Sequence, residues 1–115
     1  MLRNLKSLNF LATSISGTIP TTLFSLKHVE QVILASTQIS GTVPKEISML
    51  NTMQELLLGG TLISGTIPSE ISMLRNLQQL SLQHTQISGT IPQELSMLSM
   101  VNILRIPLTK STGTI

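Results

Sequence analysis

The sequence predicts an α/β solenoid, a stack of 24-residue units that each contribute one strand and one short helical turn. The first observation is a fixed spacing, because Gly17, Gly41, Gly65, Gly89 and Gly113 recur every 24 residues. The second is that apolar residues recur in phase with these glycines, and the third is a segment in each unit where polar and apolar residues alternate. A period in the twenties is typical of a repeat array, in which each unit contacts only its neighbours.

The strand is predicted from the segment Gln79-Leu80-Ser81-Leu82-Gln83, where every second residue is apolar. Alternation of period two indicates a strand with one buried face. Stacked units place these strands side by side, so the sequence predicts one parallel sheet running the length of the array.

The helical turn is predicted from the segment that runs from Pro68 to Leu74. Proline suits the first helical position, because the N–H that it lacks has no partner there. Glu46, Glu70 and Glu94 follow in equivalent positions, where a carboxylate favours the positive end of a helix.

Seven apolar columns are expected to point into the interior. In the third unit they are represented by Leu50, Met53, Leu56, Leu58, Ile63, Ile67 and Ile71. A single unit cannot bury these side chains alone, so stacking is expected to decide whether the chain folds.

We expect residues 1–115 to form a single array of about four full repeats with partial repeats at both ends. Residues 1–5 repeat the sequence of residues 73–77, and residues 110–115 begin another copy of the glycine motif. No polar cap is visible, which predicts a segment of a longer protein. The alternative is a short chain that self-associates end to end through its uncapped termini.

Composition excludes several classes of function. Charged residues make up 10% of the chain and the formal net charge is +2, with the basic residues scattered. Nucleic acid binding requires a basic stripe with stacking aromatics, and a membrane span requires about 18 consecutive apolar residues. Neither pattern is present in the sequence.

The sequence also predicts a protein that is not an enzyme and needs no cofactor or metal. It contains neither Asp nor Cys, and His28 and His84 lie in different columns of the repeat. Catalytic triads and metal sites need such groups close together. Gly59-Gly60 is not followed by the Lys-Ser or Lys-Thr pair of a phosphate-binding loop.

The unit Leu77-x-x-Leu80-x-Leu82-x-x-Thr85-x-Ile87-Ser88-Gly89-x-Ile91-Pro92 resembles the plant-type leucine-rich repeat. That family includes receptor-like kinase and receptor-like protein ectodomains and the polygalacturonase-inhibiting proteins. The resemblance implies a right-handed horseshoe solenoid with a concave parallel sheet, a short second sheet and convex helical turns. It also implies an extracellular or cell-surface scaffold that binds protein or peptide ligands in signalling or defence.

One column departs from the family pattern, which has Asn after the strand. Here the column is Thr13, Thr37, Thr61, Thr85 and Thr109. A hydroxyl offers fewer hydrogen bonds than an amide, so we expect ordered water or a shifted turn to satisfy the remaining backbone groups.

The candidate ligand-binding residues lie on the concave face and at its edge. They are Gln31, Glu55, Gln79, Ser81, Gln83, His84 and Arg105. The alternative is that these positions merely carry side chains that a solvent-facing sheet tolerates.

A second hypothesis concerns a row of threonines immediately after the repeated glycines. The row is Thr18, Thr42, Thr66, Thr90 and Thr114. A regular row of hydroxyls and methyls at the strand spacing suggests an ice-binding solenoid. The alternative is that Thr is a favourable strand residue that unit duplication copied.

Overall fold

A computed structural model describes residues 4–89 and 91–106. Within these residues four units each contribute a strand, a second short strand and a five-residue 3₁₀ helix, and a fifth contributes its first strand. The strands are β1 (Ser7–Asn9), β2 (Ser16–Thr18), β3 (Gln31–Ile33), β4 (Gln38–Thr42), β5 (Glu55–Leu57), β6 (Leu62–Gly65), β7 (Gln79–Ser81), β8 (Gln86–Ile87) and β9 (Ile103–Arg105). The 3₁₀ helices are η1 (Thr21–Ser25), η2 (Lys45–Met49), η3 (Ser69–Met73) and η4 (Gln93–Met97).

The first sheet joins β1, β3, β5, β7 and β9 in that order, and all four pairs are parallel. Its register matches the repeat, because Glu55 is paired with Gln79 one unit further on. The strand β7 ends at Ser81, earlier than the predicted segment. Backbone pairing nevertheless continues, since the Leu82 N–H donates to the Arg105 carbonyl at 2.7 Å. The predicted parallel sheet is confirmed.

The second sheet joins β2, β4, β6 and β8 with a different register. Thr18 is paired with Ser40, and Thr42 with Ser64. Partners in this sheet are thus two residues short of a full repeat. Each threonine that follows a repeated glycine is therefore offset by two residues from its counterpart in the next unit.

The stagger places each threonine methyl against the glycine of the next unit. Gly41 and Gly65 have φ values of +84° and +82°, a left-handed conformation that disfavours any residue with a side chain. A Cβ built on these glycines would crowd the preceding threonine. The distances to its Cγ2 are 2.9 Å for Thr18 and Gly41, 2.8 Å for Thr42 and Gly65, and 3.1 Å for Thr66 and Gly89.

The helical turns are 3₁₀ helices, and their prolines lie one position earlier than predicted. Pro68 precedes η3 with extended angles, φ −71° and ψ 138°, so the prediction of a first helical position was wrong. The Pro68 carbonyl instead accepts the first bond of the turn from the Ile71 N–H at 3.2 Å. Glu70 does lie in the first turn, as predicted.

The interior is a continuous stack of apolar side chains that becomes less buried towards its ends. Leu56 and Leu80 are buried almost completely, whereas Leu104 in the same column is 38% exposed. Phe10 in the neighbouring column is 37% exposed, and Leu58 has no exposed surface. The middle units are therefore packed on both sides.

The threonine that follows each strand forms a hydrogen bond within its own unit. The Thr61 hydroxyl donates to the Leu58 carbonyl at 2.8 Å and lies 3.4 Å from the Ile63 N–H. Thr37 and Thr85 repeat this arrangement. Among the described residues no buried side-chain nitrogen or oxygen lacks a partner. The expectation that ordered water or a shifted turn satisfies the remaining backbone groups stays a prediction.

We expect the middle of the array to exchange its amide hydrogens more slowly than its described ends. Strands β5 and β7 have packed neighbours on both sides, whereas β1 and β9 lie at the edges of the first sheet. Local opening is easier where fewer apolar contacts must be broken. Hydrogen-exchange mass spectrometry or NMR measures this, and equal protection of β1 and β5 would contradict it.

The contact between Thr42 and Gly65 is expected to contribute to the free energy of unfolding. Gly65→Ala should cost about 1–2 kcal/mol for the left-handed conformation, plus about 1–3 kcal/mol for overpacking against the Thr42 methyl. Gly17→Ala carries only the first penalty, because its φ is +92° and no heavy atom lies within 4 Å of the added Cβ. Urea unfolding measures both variants.

A double-mutant cycle separates that contact from other effects of the alanine. Thr42→Ser removes the crowding methyl and should recover part of the stability lost by Gly65→Ala. Strictly additive free energies for the two substitutions would show that the methyl and the glycine are not coupled.

The Thr61 hydroxyl is expected to stabilise the middle of the array. Thr61→Val keeps the shape and leaves the buried Leu58 carbonyl without its partner, which should cost about 1–3 kcal/mol. Thr13 makes the equivalent bond to the Phe10 carbonyl but is exposed, so water replaces it in Thr13→Val. Thermal and urea unfolding compare the two variants, and equal losses would contradict a role for burial.

Candidate functional site

The first sheet presents three rows of side chains that cross its strands. We call them the leading row, at the first residue of each strand, the central row, at the third residue, and the trailing row, two residues beyond. Their members face away from the interior because the intervening strand residues, such as Leu56 and Leu80, are buried. The regular register makes each row continuous across the units.

The leading row is polar over four strands. It contains Ser7, Gln31, Glu55, Gln79 and Ile103, each paired with the next. The Ser7 hydroxyl donates to the Gln31 side-chain oxygen at 2.9 Å, and Gln31, Glu55 and Gln79 are half-buried. This row offers amide groups and one carboxylate to a ligand.

The central row is apolar in its middle and polar at its ends. It runs through Asn9, Ile33, Leu57, Ser81 and Arg105. Ile33 and Leu57 are half-buried and Arg105 is exposed. The row therefore combines an apolar contact surface with a cation at one end.

The trailing row contains a position without a side chain. It runs through Leu11, Ala35, Gly59 and Gln83, and Leu11 is 55% exposed. A Cβ on Gly59 would lie 3.0 Å from the Gln83 carbonyl oxygen and 3.1 Å from the Ser81 hydroxyl. Gly59 thus leaves a shallow depression in the surface, which the side chain of any other residue would fill.

His84 lies at the edge of this surface in a left-handed conformation. Its φ is +58°, close to the +59° of Ala12 and Ser36 in the same column. Gly60, which has φ +71°, was the one sequence signal for this turn, and the prediction did not use it. The exposed imidazole is placed by the turn that ends the strand.

The structure brings most of the predicted site residues onto one surface. Gln31, Glu55 and Gln79 lie in the leading row, Ser81 and Arg105 in the central row, Gln83 in the trailing row, and His84 beside it. Ile33 and Leu57 also lie on this surface, although they are not among the site residues that the sequence predicts. The available sequence signal was that apolar residues recur at this outward position in neighbouring strands.

The alternative threonine row lies on a different part of the molecule. Thr18, Thr42 and Thr66 are exposed, while Thr90 and Thr114 lie outside the described residues. The stagger of the second sheet places Ser40, not Thr42, directly beside Thr18. The same offset recurs between successive described strands of this sheet, and the ice-binding hypothesis stays a prediction.

Two grooves lie beside other parts of the units. One, of about 310 Å³, is polar and is lined by Glu30, Thr52, Gln54, Asn76, Gln78 and Met100. The other, of about 460 Å³, lies between η1 and η2 and is lined by Thr21, Phe24, Ser25, Lys27, Glu46 and Met49. The second exists where Phe24-Ser25 replaces the Ser72-Met73 pattern of a later unit.

The described residues, 4–89 and 91–106, include both histidines of the chain. No group of three or more His, Cys, Asp or Glu side chains in this part of the chain could hold a metal ion. No helix there is long and apolar enough to cross a membrane. His28 and His84 are both exposed.

A family model described as "Leucine Rich Repeat" matches residues 76–98. No curated protein sequence matches the chain. Solved structures resemble it over almost its whole length, and the predicted solenoid fold is confirmed by them and by the two sheets.

Three of these structures illustrate the similarity. The plant peptide hormone receptor RGFR1 in complex with RGF2 has a TM-score of 0.91 at 28% identity, covering 94% of this chain and 18% of that one. The Arabidopsis receptor kinase HAESA, in complex with the peptide hormone IDA and the co-receptor SERK1, has a TM-score of 0.88 at 31% identity, covering 94% and 18%. The BIR3–SERK2 complex from Arabidopsis thaliana has a TM-score of 0.91 at 30% identity, covering 97% and 60%. The chain therefore spans about a fifth of the hormone receptors it resembles.

Proposed function

We propose that this chain, which is an array of plant-type leucine-rich repeats, is a non-enzymatic scaffold that binds protein or peptide ligands on its concave sheet. The observation that carries the proposal is the continuity of the three rows across β1, β3, β5, β7 and β9. Such a surface can contact an elongated ligand with several units at once.

The chemistry of the rows supports a peptide or protein ligand. Ile33 and Leu57 offer apolar contact, and the amides of Gln31, Gln79 and Gln83 can both donate and accept hydrogen bonds. An extended chain needs both kinds of contact, because its backbone is polar and its side chains are mixed. The similar receptors RGFR1 and HAESA are solved with peptide hormones bound, which supports the same class of ligand.

Three finer statements belong to the proposal. The chain is a single array over residues 1–115, with about four full repeats and a partial repeat at each end. It acts outside the cell or at the cell surface, as part of a receptor-like or inhibitor-like ectodomain. End-to-end self-association through the termini is proposed only as the alternative to a segment of a longer array.

Binding through the concave sheet is tested by substitutions in a selected complex. A peptide is first selected against the chain from a displayed random library. Leu57→Ala should then weaken its binding about tenfold, because well-packed positions near the centre of an interface, from which water is excluded, contribute most to affinity. Isothermal titration calorimetry or fluorescence polarisation measures the dissociation constant.

Leu62 provides a matched control for that experiment. It is an exposed leucine on the second sheet, away from the three rows. Leu62→Ala should leave the affinity unchanged. If Leu62→Ala lost binding while Leu57→Ala and Ile33→Ala both retained it, the peptide would bind outside the concave sheet.

A further inference from the structure

The three rows contain two charged side chains of opposite sign. Glu55 lies in the leading row on β5 and is half-buried, and Arg105 lies in the central row on β9 and is exposed. The remaining positions in the rows carry neutral side chains. The charge pattern of the concave sheet is thus a single carboxylate and a single guanidinium.

The position of these charges follows from the sheet geometry. Adjacent strands lie about 4.7–4.9 Å apart and residues rise about 3.3 Å along a parallel strand. Arg105 is two strands away from Glu55 and two positions further along the strand. From this strand spacing and this rise per residue, the backbone positions of Glu55 and Arg105 are separated diagonally by about 12 Å.

That separation matches a short extended segment. Four residues of an extended chain span about 13 Å, and alternate side chains point to the same side. Side chains at positions i and i+4 of a ligand lying along the diagonal can thus face Glu55 and Arg105 together. The side chain at i+2 then lies over Gln79 and Ser81, which occupy the strand between them.

We propose that the ligand of this surface is an extended peptide segment with a basic side chain and a carboxylate four residues apart, and a small or polar residue midway. The inference rests on the proposed function of the concave sheet. Glu55 binds the basic group, and Arg105 binds the carboxylate in a bidentate geometry. The carboxylate is that of an Asp or Glu side chain or of a peptide C-terminus.

An array of synthetic peptides tests the spacing directly. Each peptide has a serine–glycine background with one lysine and one aspartate at separations from one to six residues, in both orders. A parallel set ends in a free carboxylate in place of the aspartate and distinguishes the two sources of the charge. Random-sequence peptides on the same array report binding of any other kind. We expect the strongest binding at a separation of four.

Neutral substitutions then identify the partners of the best peptide in the array. Glu55→Gln and Arg105→Gln should each weaken its binding about three- to fivefold, the upper part of the range for solvent-exposed ion pairs. Glu70→Gln and Arg75→Gln are matched controls, because Glu70 lies in η3 and Arg75 two residues after its end, outside the three rows. The controls should bind like the unaltered chain.

A charge reversal supplies the decisive result. Glu55→Lys should lose the lysine–aspartate peptide and gain a peptide with aspartate at both positions, which a merely structural role of Glu55 does not produce. Charge-independent binding, or an optimum at another separation, overturns the inference and leaves the proposed function standing if Leu57→Ala still weakens binding. Absence of binding to every peptide, random sequences included, overturns both.

Discussion

The structure depends on the burial of each unit by its neighbours. Val32, Leu56 and Leu80 occupy one column and are buried because a unit lies on either side of each. Leu104 belongs to the same column and is partly exposed at the last described strand. No unit carries its own core, so backbone register and apolar contact have to agree from one unit to the next.

That agreement also creates the binding surface. The first sheet keeps the register of the repeat, so side chains at equivalent positions form straight rows rather than scattered points. The same strand residues alternate between the core and the concave face. Packing and recognition are therefore coupled in this fold, because a slip of one residue would exchange the two faces.

The fold and the location of the candidate surface could be predicted from the sequence. The period of 24 residues placed Leu56 and Leu80 in one column, and the alternation around Gln79 and Ser81 assigned their outward direction. These features depend on local pattern and on repetition, which a single sequence contains. The solved structures agree with the fold that they indicate.

Other features depend on contacts between units and could not be predicted in the same way. The stagger of the second sheet brings the Thr42 methyl against Gly65, and the period of the sequence does not specify that offset. The left-handed turn at His84 could not be predicted from the residue type, because a positive φ is uncommon in residues other than glycine. The alignment of Glu55 with Arg105 requires the strand order as well as the repeat.

The threonine–glycine contact has a consequence for how such a chain can grow. Each middle unit carries both halves of the joint, a methyl that projects towards the following unit and a glycine that receives the methyl of the preceding one. Any unit can therefore be joined to any other without a new adapter. Gene duplication or unequal recombination in whole units therefore lengthens the protein while every such joint stays intact.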